Sequence, residues 1–418
     1  MCDLRAHGKV NELRSNLNGL PSLIQKGRVL TAMNDETRIA DLRELFPVTR
    51  HWTYLLSGSI HPCPLPVGDA MRVFLELWQN GGEDAYHATV DTFDRLKEAF
   101  ARLIHTSAGN IVVTESTTAA LNLAAHLVQP QPDENVVVTD LAFMSSSYMW
   151  LASAQTAADL RFVESRDGTI DMADLAAAVD DRTAAVNICA VTVGSGFRFD
   201  LEAVHAITSR HDARLIVDGA QALGVVDIDV NDPPLDFLAT TASKWLMGPA
   251  GIGFCYVADR YLDATPPSAG WFSASNVADW DVRRCQLHDD ATRFQGGIPN
   301  LVGLAGALAG LELLEKIGRD FIAGRILELS TYLLEQLDRI GVDIWTPRAA
   351  ARRAGVVFFR TADVEQLHSH LKAERIYCGQ FLGGIRVDAT FYNTYEELDR
   401  FLAVVRSHVN GSGRTPAS

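Results

Sequence analysis

The sequence predicts an α/β protein with a mostly parallel sheet flanked by helices and a smaller C-terminal α+β domain. Two observations predict it. Between residues 110 and 243, short apolar runs rich in β-branched residues alternate with Ala- and Leu-rich helical stretches, the sequence form of βαβ units. After residue 300 that alternation gives way to one long helical stretch, several short strand-like runs and a last helix.

Taken in order, residues 1–50 read as an N-terminal helical segment and residues 51–300 as a large domain. NIVVTE predicts a strand and TTAALNLAAHLV a helix; NVVVTD, LRFVE and AAVNICAVTV predict three further strands. LEAVHAITSRH is helical, and ARLIVDGA and DFLATTAS are again strands. The small domain spans 301–408, opening with the helix LVGLAGALAGLELLEKIG, continuing through IGVDIW, AGVVFFR and GIRVDA, and closing on EELDRFLAVVRSHV. Residues 409–418, ending NGSGRTPAS, have the composition of a disordered tail.

With 418 residues, 47% of them hydrophobic, the chain is long enough for a large core in two lobes. Its 37 Lys and Arg against 52 Asp and Glu leave a net charge of -15, which repels nucleic acid and anionic membranes and favours a small-molecule partner. No apolar run reaches the roughly 20 residues that span a bilayer. The start, MCDLRAHGKVNELRSN, has no signal-peptide core, so a cytoplasmic location is expected. Cys2, Cys63, Cys189, Cys255, Cys285 and Cys378 are scattered without a CxxC spacing, and no metal site or disulfide framework is indicated.

In parallel α/β sheets, ligands sit where the loops converge at the carboxyl ends of strands, and three groups fall there. TESTTAAL ends a strand and opens a helix, so Thr117, Thr118 and the local N–H groups suit a phosphate; plain capping by Ser116 or Thr117 is the alternative. LIVDGAQALG places Asp218 directly after an apolar strand, where a carboxylate needs a cationic partner or is simply a turn residue. TTASKWLMGPAGIG sets Lys244 between hydroxyl residues and glycines that permit close approach of a flat ligand, unless the lysine is only a solvated charge. Together the three groups match what pyridoxal 5'-phosphate requires: a phosphate cradle, a carboxylate for the pyridinium nitrogen and a lysine for the aldehyde.

From about residue 50 to 408 the chain resembles the class V aminotransferase group of fold-type I pyridoxal-phosphate enzymes, which includes cysteine desulfurases, kynureninases and isopenicillin N epimerase-like proteins. The ordered motifs TESTTAALNL, LAFMSSSYMW, SGFRFD, VDGAQAL, TTASKWLMGPAGIG, GW, FQGGIPN and GIRVDATFYNTYEELDRF carry the resemblance. It implies a seven-stranded sheet, with Phe143 stacked on the cofactor ring, Asp218 on the pyridinium nitrogen and Gln221 near the phenolic oxygen. It also implies that Lys244 forms the Schiff base, that Thr117, Thr118 and Thr241 bind phosphate, and that Arg386 grips the substrate carboxylate. Gly58, Ser59 and His61 in LLSGSIHP resemble a substrate-facing loop, while Trp271, Phe272, Tyr148 and Trp150 are candidates for an aromatic substrate pocket. The segment FQGGIPN implies a homodimer with shared active sites.

Departures from the family pattern narrow the reaction. Ser243 stands where many relatives have histidine, Val193 where desulfurases often have Asn, and Ile298 where a threonine of the neighbouring subunit meets the phosphate; backbone groups of Gly297 can compensate. Desulfurases carry a longer loop with a mobile sulfur-accepting cysteine where this chain has ERIYCGQFLGGIRV, and Cys378 lies in the strand expected before that loop. The expected reaction is therefore cleavage of the C–S bond of a cysteine S-conjugate by β-elimination, with transamination, epimerisation, oxidative decarboxylating deamination and a non-catalytic binding protein as alternatives. A further resemblance, to the cysteine-conjugate enzymes of lincosamide pathways, implies antibiotic biosynthesis.

Overall fold

A computed structural model describes residues 35–152 and 159–412. The six predicted strands and one more, β8, assemble into one seven-stranded sheet: β2 (Ile111–Thr114), β3 (Asn135–Thr139), β4 (Asp159–Val163), β5 (Thr183–Cys189), β6 (Arg214–Asp218), β7 (Phe237–Thr241) and β8 (Gly253–Val257), in the spatial order 2-8-7-6-5-3-4. Only β8 runs against its neighbours, pairing antiparallel with both β7 and β2. Apart from the edge strand β4, the strands are buried on both faces and so read as continuous apolar runs rather than alternating ones. One face packs Val137, Val186, Ile188, Leu215 and Val217 into the main core. The other packs Val136, Val138, Ala185 and Ile216 against α4 (Thr117–Val128) and α5 (Met144–Leu151).

Ahead of the sheet, α1 (Asp35–Arg43) precedes β1 (Thr53–Tyr54), α2 (Leu65–Gly81) and α3 (Glu83–Leu103). Helix α1 falls within residues 1–50, read from the sequence as an N-terminal helical segment, of which residues 1–34 lie outside the described residues. Between β4 and β7 come α6 (Met172–Ala178) and α7 (Leu201–Thr208). Further on, α8 (Leu301–Ile317) and α9 (Arg319–Ile340) lead to a four-stranded antiparallel sheet of β9 (Asp343–Ile344), β10 (Val357–Arg360), β12 (Gly379–Phe381) and β13 (Gly384–Val387), with β11 (Ile376–Tyr377) pairing in parallel with β1. Between β10 and β11 lies α10 (Val364–Ala373), and α11 (Tyr395–Ser412) closes the described chain.

Two differences from the sequence reading have physical causes. Helix α8 carries no charged side chain from Leu301 to Leu311, and Leu304, Ala307, Leu308, Leu311 and Leu314 are buried in the large-domain core. The two cores meet within α9: Ile322 and Ile326 are buried with the large-domain core, whereas Leu329, Leu333 and Leu337 join Phe359, Ile385 and Phe401 in a separate cluster. At the other end, α11 continues through residues 409–412, which the sequence reading assigned to the tail.

Candidate active site

Lys244 and Asp218 sit where the parallel strands end. Asp218 is the last residue of β6 and 4% exposed; Lys244 follows β7 by three residues and is half-buried. The lysine turn is fixed from several sides: Ala242 N–H donates to the Ile252 carbonyl at 2.9 Å, Gly248 N–H to Ala242 at 2.8 Å and Met247 N–H to Lys244 at 3.0 Å. Met247 takes φ +59° to close it, a conformation that non-glycine residues adopt only when their surroundings enforce it.

The Asp218 carboxylate accepts the Ala220 N–H at 2.9 Å and, weakly, the Cys189 thiol at 3.8 Å. Cys189 is there because β5 and β6 pair it in register with Asp218; the thiol in turn accepts the Phe143 N–H at 3.5 Å. Among the described residues Asp218 has no ion pair, so burial raises its pKa, opposed chiefly by the charge of Lys244. Burial likewise lowers the Lys244 pKa, against the pull of Asp218. A buried carboxylate short of a cation beside a lysine fits the pyridinium nitrogen and aldehyde of pyridoxal phosphate. Phe143, at the start of α5, is partly exposed, and its ring centroid lies 5.6 Å from Lys244 Nζ.

Around this centre the other candidates divide. Thr117 and Thr118 occupy the first turn of α4, whose N-cap is Ser116, accepting the Ala119 N–H at 3.2 Å. That is the capping arrangement, and it leaves the threonine hydroxyls for other partners: Thr118 Oγ1 lies 2.8 Å from Ser145 Oγ. Thr241 donates to the Ile252 carbonyl at 3.2 Å and lies 3.2 Å from the Ser243 hydroxyl. Gln221 donates to the Gly58 carbonyl at 2.8 Å, and its own carbonyl accepts Trp245 Nε1 at 3.0 Å and Arg386 Nη2 at 3.1 Å.

Arg386, on β13, is 5% exposed. Its Nε donates to Asp388 Oδ1 at 2.9 Å and Nη2 lies 2.9 Å from Asp388 Oδ2. Burial raises the Asp388 pKa, opposed first by the Arg386 charge and also by that of Lys244. The segment is locked from behind: Thr390 N–H donates to Asn393, Asn393 to Glu397, and Glu397 accepts both Nη groups of Arg43 at 2.9 and 3.0 Å.

Of the four remaining candidates, His61, Ser59, Trp271 and Gly297, only His61 is buried. His61 is not on an open substrate-facing surface: it is 4% exposed, packed against Phe46 and Tyr392, and its Nδ1 lies 2.9 Å from the Pro62 carbonyl. Burial lowers its pKa to about 4, so the ring is neutral; its contribution to the site is a backbone bond, His61 N–H to the Ser243 carbonyl at 2.8 Å. Ser59 is exposed, beside a cleft that Arg386, Leu56 and Gln380 also line. Trp271 is 49% exposed and edge-on to Phe272, with no contact to Lys244, and Gly297 lies with Ile298 on a separate surface beside Asn122 and Gly251.

Sequence reasoning missed Asp388, Trp245 and the role of Cys189. An alternation argument at GIRVDA places Arg386 and Asp388 on the same face of the strand and could have found the first of these.

Similarity to known proteins agrees with this geometry. The model of the family described as aminotransferase class-V matches residues 53–401. A probable cysteine desulfurase of Pyrococcus abyssi is 27% identical over 88% of this chain and 97% of its own length, and an uncharacterized aminotransferase of Bacillus subtilis is 26% identical over 85% and 94%. The apo structure of a cysteine desulfurase from Thermococcus onnurineus NA1 superposes with a TM-score of 0.81 at 26% identity, covering 89% of this chain and 98% of that one. A cystine C–S lyase in complex with cysteine persulfide gives 0.80 at 23% identity, covering 86% and 99%, and so shares the fold. The chain is a pyridoxal-phosphate enzyme and belongs to the class-V aminotransferase family.

Proposed function

We propose that this protein is a lyase that cleaves the C–S bond of a cysteine S-conjugate: R–S–CH2–CH(NH3+)–COO− and water give R–SH, pyruvate and ammonium. The observation that carries this choice is the hairpin at Gly379–Val387. Phe381 pairs with Gly384 across a two-residue turn, Leu382 and Gly383, at φ +45° and +74°, the left-handed pair of a tight type I' turn. Such a turn has no room for a mobile loop carrying a sulfur acceptor. Cys378 is 3% exposed within the small-domain core, and burial pushes its pKa up to about 12, far from the reactive thiolate that accepts sulfur. The relatives named as cysteine desulfurases and the neighbour named as a cystine C–S lyase support cysteine chemistry.

In this reading Asp218 would pair with the pyridinium nitrogen, Phe143 would stack on the ring, Gln221 would stand near the phenolic oxygen, and Thr117, Thr118 and Thr241 would hold the phosphate, with backbone groups of Gly297 of the partner subunit compensating for the threonine that Ile298 replaces. The bound group supplies an electron-withdrawing ring that accepts the electrons of a bond broken at the substrate Cα. Lys244 Nζ, its pKa lowered by burial, takes the Cα proton and returns a proton to a leaving group. Arg386 holds the carboxylate while Ser59 and Trp271 border the conjugate. Exposed Trp271 and Ile298, on loops that meet where Gly270 touches Gly296, support a homodimer. Among the described residues no helix is long and apolar enough to cross a membrane, in keeping with a cytoplasmic enzyme; a place in antibiotic biosynthesis belongs to the same proposal.

The test is product analysis with a panel of S-substituted cysteines. Pyruvate with free thiol is the expected result. A keto acid retaining sulfur would establish transamination instead, an aldehyde with carbon dioxide decarboxylation, and recovered D-amino acid epimerisation.

A further inference from the structure

Arg386 reaches the cleft with most of its donors engaged. The guanidinium has five N–H groups in a rigid fork; Nε and Nη2 face Asp388 and Nη2 also donates to Gln221. Among the described residues Nη1 has no hydrogen-bond partner. Asp388 cannot swing away: it is 0% exposed and its backbone N–H donates to the Leu55 carbonyl at 2.8 Å. The Gly58 backbone presses on the pair so closely that a Cβ there would stand 2.5 Å from Arg386 Nη2 and 2.9 Å from Asp388 Oδ2. Any side chain at position 58 would dislodge the guanidinium.

The charge of this arginine is therefore already matched by a carboxylate of its own strand segment. A substrate carboxylate that enters makes Arg386 the shared partner of two buried anions, and two carboxylates that share one site disfavour each other's ionised form. We infer that Asp388 is a specificity-determining residue of the cleft: it orients the guanidinium, leaves Nη1 as the donor for the substrate carboxylate, and weakens the binding of that carboxylate by its own negative charge. The affinity for substrate then comes mainly from the amine and from the group beyond Cβ, which favours a large conjugate over a simple amino acid. This inference rests on the proposed amino-acid chemistry.

The test compares the cofactor-loaded wild type with Asp388→Asn, which keeps the side-chain shape and an oxygen for Arg386 but removes the charge. Binding of L-alanine and of ethylamine is followed by the visible spectrum of the cofactor; neither has a leaving group at Cβ, and they differ in the carboxylate alone. Asp388→Asn is expected to tighten L-alanine relative to ethylamine by roughly tenfold or more, as relief of like-charge repulsion does. Should Asp388 serve only to hold Arg386 in place, the ratio will stay the same or fall, and the inference is overturned. Asp388→Ser provides the same comparison if the Asn variant does not fold. Absence of any spectral response to both ligands in the wild type would overturn the amino-acid reading itself, and the inference with it; a response to both with an unmoved ratio overturns the inference alone.

Discussion

Asp218 and Asp388 are both buried carboxylates within the field of Lys244, but the two halves of the cleft treat them differently. The sheet end gives Asp218 one backbone N–H and a thiol; the small-domain side gives Asp388 a guanidinium at 2.9 Å through two nitrogens. A buried charge is tolerated only when it is paired. Asp388 has its cation within the chain, whereas in the proposed reading the cation for Asp218 is the cofactor's pyridinium. The difference separates a charge paired within the chain from one left open: the electrostatically incomplete half is the one that, in the proposed reading, takes a cationic ligand.

The largest expected effect breaks the sheet-end half. Lys244→Ala should abolish turnover and the visible absorption of the lysine-bound cofactor while the circular dichroism spectrum stays that of the folded protein. Normal activity in that variant would remove Lys244 from the chemistry altogether.

Next comes the other half. Loss of a desolvated charge pair typically costs about 2–5 kcal/mol, or roughly thirtyfold to several-thousandfold in kcat/KM. Because Asp388 already shares Arg386, Arg386→Ala should fall toward the lower end of that range and leave the cofactor spectrum intact. The same change strands Asp388 without its cation, a loss that commonly costs about 3–5 kcal/mol of stability. Adding Asp388→Asn should restore most of the stability in chemical denaturation and none of the substrate binding. A double variant no more stable than Arg386→Ala would show that the pair contributes little to folding.

A smaller effect lies at the seam, where the ring of His61 packs on Phe46 and Tyr392. Its pKa is about 4 in the fold against 6.5 for an ordinary histidine, so between those limits the unfolded chain binds a proton that the folded chain does not. Stability is therefore full above pH 6.5 and is lost as pH falls toward 4, by about 3 kcal/mol at 1.36 kcal/mol per pKa unit. Denaturant titrations at pH 7 and pH 4.5 should show a smaller acid loss for His61→Phe than for the wild type; equal losses would place the ring in a wetter environment than the core.

The smallest effect belongs to Cys378. Cys378→Ala should cost about 1 kcal/mol of stability, the scale of a small buried side chain, and leave pyruvate formation within about twofold. Loss of turnover in this variant would make the thiol a sulfur acceptor and turn the protein into a desulfurase.

By itself the sequence determined six strands of the large sheet and pointed to the candidate residues at their ends. Apolar β-branched runs set β5, β6 and β7, and the rule that ligands gather at carboxyl ends of parallel strands singles out Asp218 and Lys244 from residues a few positions away. Those signals are local, carried by strand periodicity and by the residues that follow each strand. Tertiary structure alone decided what those side chains meet. The Asp388 contact with Gly58, the Gln221 bond to Trp245 and Arg386, and the seating of Cys189 beside Asp218 join segments that are far apart in the chain or depend on strand register. His61 shows the same limit: its motif suggests a loop facing substrate, yet Phe46 and Tyr392, one on either side of it in sequence, close over the ring. For helix α8 the uncharged stretch Leu301–Leu311 has no polar face to prefer one neighbour over another, and only the packed chain settles which neighbour buries it.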